Sequence, residues 1–134
     1  MTEPVALIEP HDGVIERITM CSTTLTLTFS HLAVYVPKAK DEYDIWIYRS
    51  TLTLTNLTRL VIEGVDDSMS GLDDAVFVGD DTERIEWTSL LSACRVKQFE
   101  VTYTSGARLY AACSEARLVL DEPVRFLEKW LGPL

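Results

Sequence analysis

Leucine and threonine alternate strictly in two stretches of this chain, residues 23–29 (TTLTLTF) and residues 50–56 (STLTLTN). A period of two puts the leucines on one face and the threonines on the other, the pattern of a half-buried β-strand. The same reasoning predicts strands over residues 14–20, 24–36, 45–55 and 57–63, and again over residues 85–91, where Ile85 and Trp87 point inward. In the second of these the apolar positions change parity. Leu25, Leu27 and Phe29 are odd-numbered, whereas Leu32, Val34 and Val36 are even-numbered. A period-two pattern changes parity only by taking an extra residue or breaking, so a β-bulge or sharp bend is expected at Ser30-His31. Residues 38–44 read as a charged loop. Residues 64–81 are the longest irregular segment, relieved only by a short alternating run over residues 75–78.

A hairpin is expected near the C-terminus. Phe99, Val101 and Tyr103 share one face of its first strand, and Leu109, Ala111 and Cys113 share one face of its second. A two-residue Ser105-Gly106 loop would place Tyr103 opposite Arg108. A loop one residue longer places Tyr103 opposite Leu109 and Val101 opposite Ala111, which keeps both apolar sets together, with Gly106 supplying a positive φ. Another parity change near Ser114-Glu115 predicts a second bulge or bend. The closing stretch DEPVRFLEKWLGPL reads as an amphipathic helix over about residues 122–131. Asp121 or Glu122 would cap it, Pro123 suits its first turn and Gly132-Pro133 its stop. Val124, Leu127 and Leu131 would form its apolar side, flanked by Phe126 and Trp130.

Together these elements predict one domain over residues 1–134. It is an all-β domain with one C-terminal α-helix, built as an antiparallel β-sandwich or partly open barrel of about seven or eight strands.

Composition narrows the partners. The chain carries 12 Lys and Arg against 21 Asp and Glu, a net charge of −9. Such a surface repels phosphate backbones and anionic lipid, so neither nucleic acid nor membrane is an expected partner. No basic leader or membrane-length apolar run is present, and a cytoplasmic location is expected. Cys21, Cys94 and Cys113 lack metal-ligand spacing and read as free thiols. Cys113 is expected to be a small core residue.

Candidate chemistry is sparse. Glu63, Asp66, Asp67, Asp73, Asp74, Asp80, Asp81 and Glu83 precede Arg84 with no intervening Lys or Arg. Oxygen ligands suit Ca²⁺, yet the Asp-x-Asp-x-Asp-Gly order of an EF-hand loop is missing. The segment reads either as a solvated loop or as an anionic face for a cationic partner. Asp66, Asp67, Asp73, Asp74, Asp80, Asp81 and Glu83 form its partner-binding set. His11-Asp12 offers a metal ligand or a base, but two histidines make no multi-histidine centre. His11-Asp12-Gly13 reads first as a turn launching the first strand. Tyr43, Trp46, Tyr48 and Arg49 form an aromatic cluster able to stack a sugar ring or anchor a protein, although Trp46 and Tyr48 share parity with Leu52 and Leu54 and so read first as core. No nucleophile elbow or phosphate loop is present. A pairing of Cys21 or Cys113 with His11 or His31 stays open.

HDGVIERI, TLTLTF, DIWIYRS and FEVTYTSGARLYAACSEARLVL together resemble a class of small bacterial β-rich proteins, some of which are similar to immunity proteins of polymorphic toxin systems. The resemblance implies a cytoplasmic binder without enzyme activity, a toxin neutraliser in form, and it carries no catalytic residue. The expected function is therefore a non-enzymatic protein-binding module, without a cofactor, presenting residues 63–84 to a basic protein. A small-molecule or carbohydrate module using Trp46 and Tyr48 is the alternative, and an enzyme using His11 and Asp12 is a third reading. Self-association through an edge strand is also compatible with the fold.

Overall fold

The two Thr/Leu stretches lie side by side. In a computed structural model that describes residues 4–64 and 71–134, β2 (Thr24–Ala39) and β3 (Glu42–Thr55) pair antiparallel, with Leu25 opposite Leu54 and Leu27 opposite Leu52. Thr26 faces Thr53 and Thr28 faces Thr51 on the other side. The four leucines are fully buried. The echo in the sequence is thus one cross-strand ladder, leucine inward and threonine outward.

Two antiparallel five-stranded sheets face each other. The larger has the order β1 (Leu7–Cys21), β2, β3, β10 (Glu115–Leu131), β7 (Cys94–Arg95). The smaller has the order β4 (Arg59–Glu63), β9 (Arg108–Ala112), β8 (Gln98–Tyr103), β5 (Leu72–Val78), β6 (Arg84–Ile85). Among the described residues ten strands, two of them two residues long, therefore replace the seven or eight expected. Residues Trp87–Leu91, expected to extend a strand, form a 3₁₀ helix. It carries Trp87 into the core, where the ring meets Phe29, Phe77 and Phe99 edge-on with centroids 6.0, 5.0 and 6.1 Å away. Phe77 and Phe99 stack at 4.3 Å.

Irregularities line up across the large sheet. The expected bulge at Ser30-His31 is present, between the pairs Phe29–Ser50 and Leu32–Tyr48. β10 shifts register beside the same residue of β3, between Leu120–Ser50 and Glu122–Arg49, and β1 shifts around Ile15, opposite Phe29. Ser50 is where these shifts meet. It is fully buried, and its hydroxyl has no hydrogen-bond partner among the described residues. A small side chain here leaves room for Phe29, while its hydroxyl pays desolvation without return. Ser50→Ala is expected to raise the unfolding free energy by about 1 kcal/mol. Ser50→Leu should lower it by about 1–3 kcal/mol through overpacking. Urea titration of the two variants checks both signs.

The C-terminal helix is not there; no α-helix occurs among the described residues. Residues 122–131 are instead the second half of β10 and pair with β3 from Arg49 to Glu42. Three register shifts in this half let eleven steps along β10 match eight along β3. Each bulge adds a residue and resets the parity, so apolar positions three and four apart recur as they would on a helix. Pro123 sits within this bulged stretch, where loss of an N–H is tolerated. A lone helix this short is marginal in water, whereas the open edge of β3 offers a full ladder. Asp121, expected at a helix cap, instead accepts a 2.6 Å hydrogen bond from the Thr51 hydroxyl. Gly132 does take a positive φ, 121°, but its N–H donates to the Asp41 carbonyl at the β2–β3 turn.

Three smaller expectations also change. The charged loop shrinks to a two-residue turn at Lys40-Asp41, because β2 and β3 run on to meet there. The final hairpin has a three-residue loop, but it is Thr104-Ser105-Gly106, so Val101 pairs with Leu109 and Phe99 with Ala111. This register differs from the expected one by two residues. Parity is the same in both, so the apolar faces cannot tell them apart. Gly106 is the last loop residue, where φ 92° is required. Near Ser114 the predicted bend is the point where the chain leaves the small sheet for the large one.

Candidate functional site

The described acidic residues separate in space. Asp73 and Asp74 stand exposed at the start of β5, and Asp80, Asp81 and Glu83 stand exposed beyond its other end. Seven extended residues put the two groups about 20 Å apart. The Asp74 carboxylate accepts the Ala75 N–H at 2.9 Å and faces Arg84 at 3.6 Å. Gly79 N–H donates to the Glu83 carbonyl at 2.8 Å, closing the turn that displays Asp80 and Asp81. Asp66 and Asp67 lie outside the described residues. Among the described residues no three His, Cys, Asp or Glu side chains gather as a metal site.

His11 and Asp12 do not launch the first strand. They sit inside β1, in a four-residue loop-out between the pairs Glu9–Ala33 and Val14–His31. Asp12 has φ 64°, and a Cβ on Gly13 would lie 2.8 Å from the Pro10 carbonyl oxygen and 3.1 Å from that of His31. The loop-out reaches the other sheet: His11 Nδ1 donates to the Asp73 carbonyl at 2.9 Å, and Nε2 lies 3.6 Å from the Asp12 carboxylate. The carbonyl bond, and then the Asp12 charge, raise the His11 pKa above its ordinary 6.5. Any stability that protonation of His11 adds is complete below pH 6.5 and is lost as the pH rises through the folded-state value. An NMR titration is expected to show His11 titrating above 6.5, and Asp12→Asn should move its midpoint down. The contact ties the loop-out of β1 to the start of β5, so the cluster bridges the two sheets. Around it, a small hollow of about 200 Å³ also meets Tyr35, whose phenol donates to Glu9 at 2.8 Å. Burial, first, and then Glu9 push the Tyr35 pKa up to about 12.

The aromatic residues lie where the second sheet no longer covers the first. Trp46 and Tyr48 point to the core side of β3, as their parity predicts, and pack against the core while staying half-buried. They form the floor of a groove of about 820 Å³ with Val36, Leu118 and Leu120. Leu91, at the end of the 3₁₀ helix, and Pro4 and Val5 form its walls. The groove runs along residues 117–120 of β10, where Arg117 makes no ion pair among the described residues. Sequence reasoning found Trp46 and Tyr48 but not the edge of β10 or Leu91. The residues meet only through strand order, and nothing in their spacing signals it.

The rest of β10 carries an exposed apolar row. Val124, Phe126, Leu127, Trp130 and Leu131 are 41–73% exposed, interspersed with Asp121, Glu122 and Glu128. Phe126 leans on Trp46 at 5.7 Å on one face of the sheet, and Trp130 meets Tyr35 at 6.5 Å. Lys129 reaches Glu42 at 3.2 Å and Asp44 at 3.6 Å. Arg49 lies 3.0 Å from Glu16 and 3.7 Å from Glu122.

Cys113 is buried, as expected, and burial pushes its pKa up to about 11, which leaves a neutral, inert thiol. Cys21 is exposed. Compared with known proteins, the chain matches no family, no curated protein and no solved structure.

Proposed function

We propose that this chain is a non-enzymatic protein-binding module for a basic, partly apolar protein partner. The observation that carries the reading is the exposed row on β10, five large apolar side chains set among acids. These side chains flank the strand on both faces of the sheet, Phe126 beside Trp46 and Trp130 beside Tyr35, and exposed apolar surface set among charges marks interaction sites more often than bare solvent surface. The net charge of −9, with Asp66, Asp67, Asp73, Asp74, Asp80, Asp81 and Glu83 as its densest stretch of sequence, steers a cationic partner toward it. The resemblance to a class of small bacterial β-rich proteins, some of them similar to toxin immunity proteins, is compatible with the same kind of role. Because the described acids form two groups, they act in this reading as a long-range field, and the apolar row supplies the contact.

The test is capture from host lysate at low salt, quantified for the wild-type chain and two variants. Val124→Lys/Leu131→Lys should abolish retention of a basic protein. Asp80→Lys/Asp81→Lys should reduce it and flatten its salt dependence. Equal retention by all three proteins would remove β10 as the interface.

A second reading is a small-molecule or carbohydrate module. The groove floored by Trp46 and Tyr48 favours it, since apolar, aromatic-lined hollows of this size suit such ligands.

A further inference from the structure

We infer that the groove beside β10 binds an extended peptide strand of the protein partner, apolar at alternate positions and bearing a basic residue at one end. This rests on the protein-binding reading and gives it a binding mode. The argument begins with a ladder that stops early. β7 pairs with β10 at only two positions, Arg95 opposite Glu115 and Cys94 opposite Ala116. Upstream of Cys94 the chain leaves the sheet, and Trp87–Leu91 is already helical. Beyond Ala116 no strand pairs with this edge of β10 among the described residues.

The unpaired edge is not irregular beyond Ala116, although the 3₁₀ helix packs against β10 and Leu91 lines the same groove. From Glu115 to Leu120 the register with β3 is unbroken, so residues 117–120 keep true strand geometry. Alternate residues of such a strand turn N–H and C=O groups away from β3, and here those groups face no other strand. The same residues 117–120 line the 820 Å³ groove. An added strand laid along the line of β7 would complete the ladder, and every second side chain would enter the groove toward Trp46, Tyr48 and Leu91. Backbone pairing supplies affinity in this mode, and the aromatic floor supplies selection for apolar side chains.

The limits of the edge choose the occupant. After Leu120 the register shifts at Asp121, and Pro123 offers no N–H. Only a short segment can pair, which suits a peptide and disfavours a second copy of the chain aligning its own long β10 across three bulges. Charge sets the direction. Arg117 lies at one end of the open stretch, and Asp121 and Glu122, both exposed, lie at the other. A basic side chain belongs at the Asp121 end.

A random-peptide phage library selected on the full chain tests this. The expected winners alternate apolar residues with one Lys or Arg. Synthetic copies N-methylated at the ladder-facing positions should bind about tenfold or more weakly, while N-methylation at the intervening positions is tolerated. Amide exchange at residues 117–120 should slow on binding, and Glu122→Lys should select peptides without the basic residue. Peptides insensitive to N-methylation, peptides that protect only residues 124–131, a small ligand that fills the groove with no exchange change along the edge, or no enrichment at all would each overturn strand addition. The lysate experiment reads the broader function separately. A basic protein lost through Val124→Lys/Leu131→Lys alongside a failed peptide selection leaves the binding module standing without this mode.

Discussion

Trp87→Ala is expected to lower the unfolding free energy by about 3–5 kcal/mol, the usual cost of emptying a large aromatic site in a core. Trp87 is the hub of the aromatic cluster, touching Phe29 of the large sheet and Phe77 and Phe99 of the small one. Its ring therefore joins the two layers, and no neighbour can fill the space without pulling a sheet with it. Its Nε1 also donates to the Ala75 carbonyl at 3.0 Å inside the core. Alanine removes both the packing and the donor. Trp87→Phe removes the donor and part of the ring, and should cost less than half as much. Denaturant titration of the two variants separates these contributions. A loss under about 1 kcal/mol for the alanine variant would mean that Trp87 does not hold the sheets together.

A chain ending at Asp121 is expected to lose about 5 kcal/mol or more, enough to unfold or aggregate most molecules of a domain this size. The deletion strips β3 of its ladder from Arg49 to Glu42. It also uncovers Ile45 and Ile47, now 2% and 7% exposed, each worth about 1.5–3 kcal/mol of burial. What remains is a long unpaired strand edge beside fresh apolar surface, the combination that drives edge-to-edge association. Size-exclusion chromatography and a denaturation curve read the result. A monomer with an unchanged midpoint would show that the last ten strand residues contribute nothing to the fold.

Legibility in the sequence followed the range of the interactions. Leu25, Leu27, Leu52 and Leu54 are buried as their alternation requires, because the pleat forces residues two apart onto one face whatever lies beyond. The bulge at Ser30-His31 was readable for the same reason, since parity cannot change without one. The C-terminal strand misled because three bulges in a dozen residues imitate a helical spacing, and only the edge of β3 selects between the two. Asp12-Gly13 is a local turn signal that reads as the start of a strand; it is a loop-out within one, and the partners that show this are His31 and Ala33, far downstream. The candidate site was half legible. Trp46 and Tyr48 stood out as aromatic, but their groove needs Leu91 and the edge of β10, and those come together only when β7 stops short.

By itself the sequence determined the strands of strict alternation, the face each buries, the places where parity must break and the anionic charge of the whole, since each depends on neighbouring residues or on simple counting. Tertiary structure decided the rest. It made residues 122–131 a strand, because an unpaired neighbour has more hydrogen bonds to offer than a lone helical turn. It divided the acids between the two ends of β5, because an extended strand carries residues close in sequence far apart in space. And it left one short edge of β10 without a paired strand among the described residues, beside an aromatic groove, because strand order, which no local pattern encodes, ends β7 after two residues.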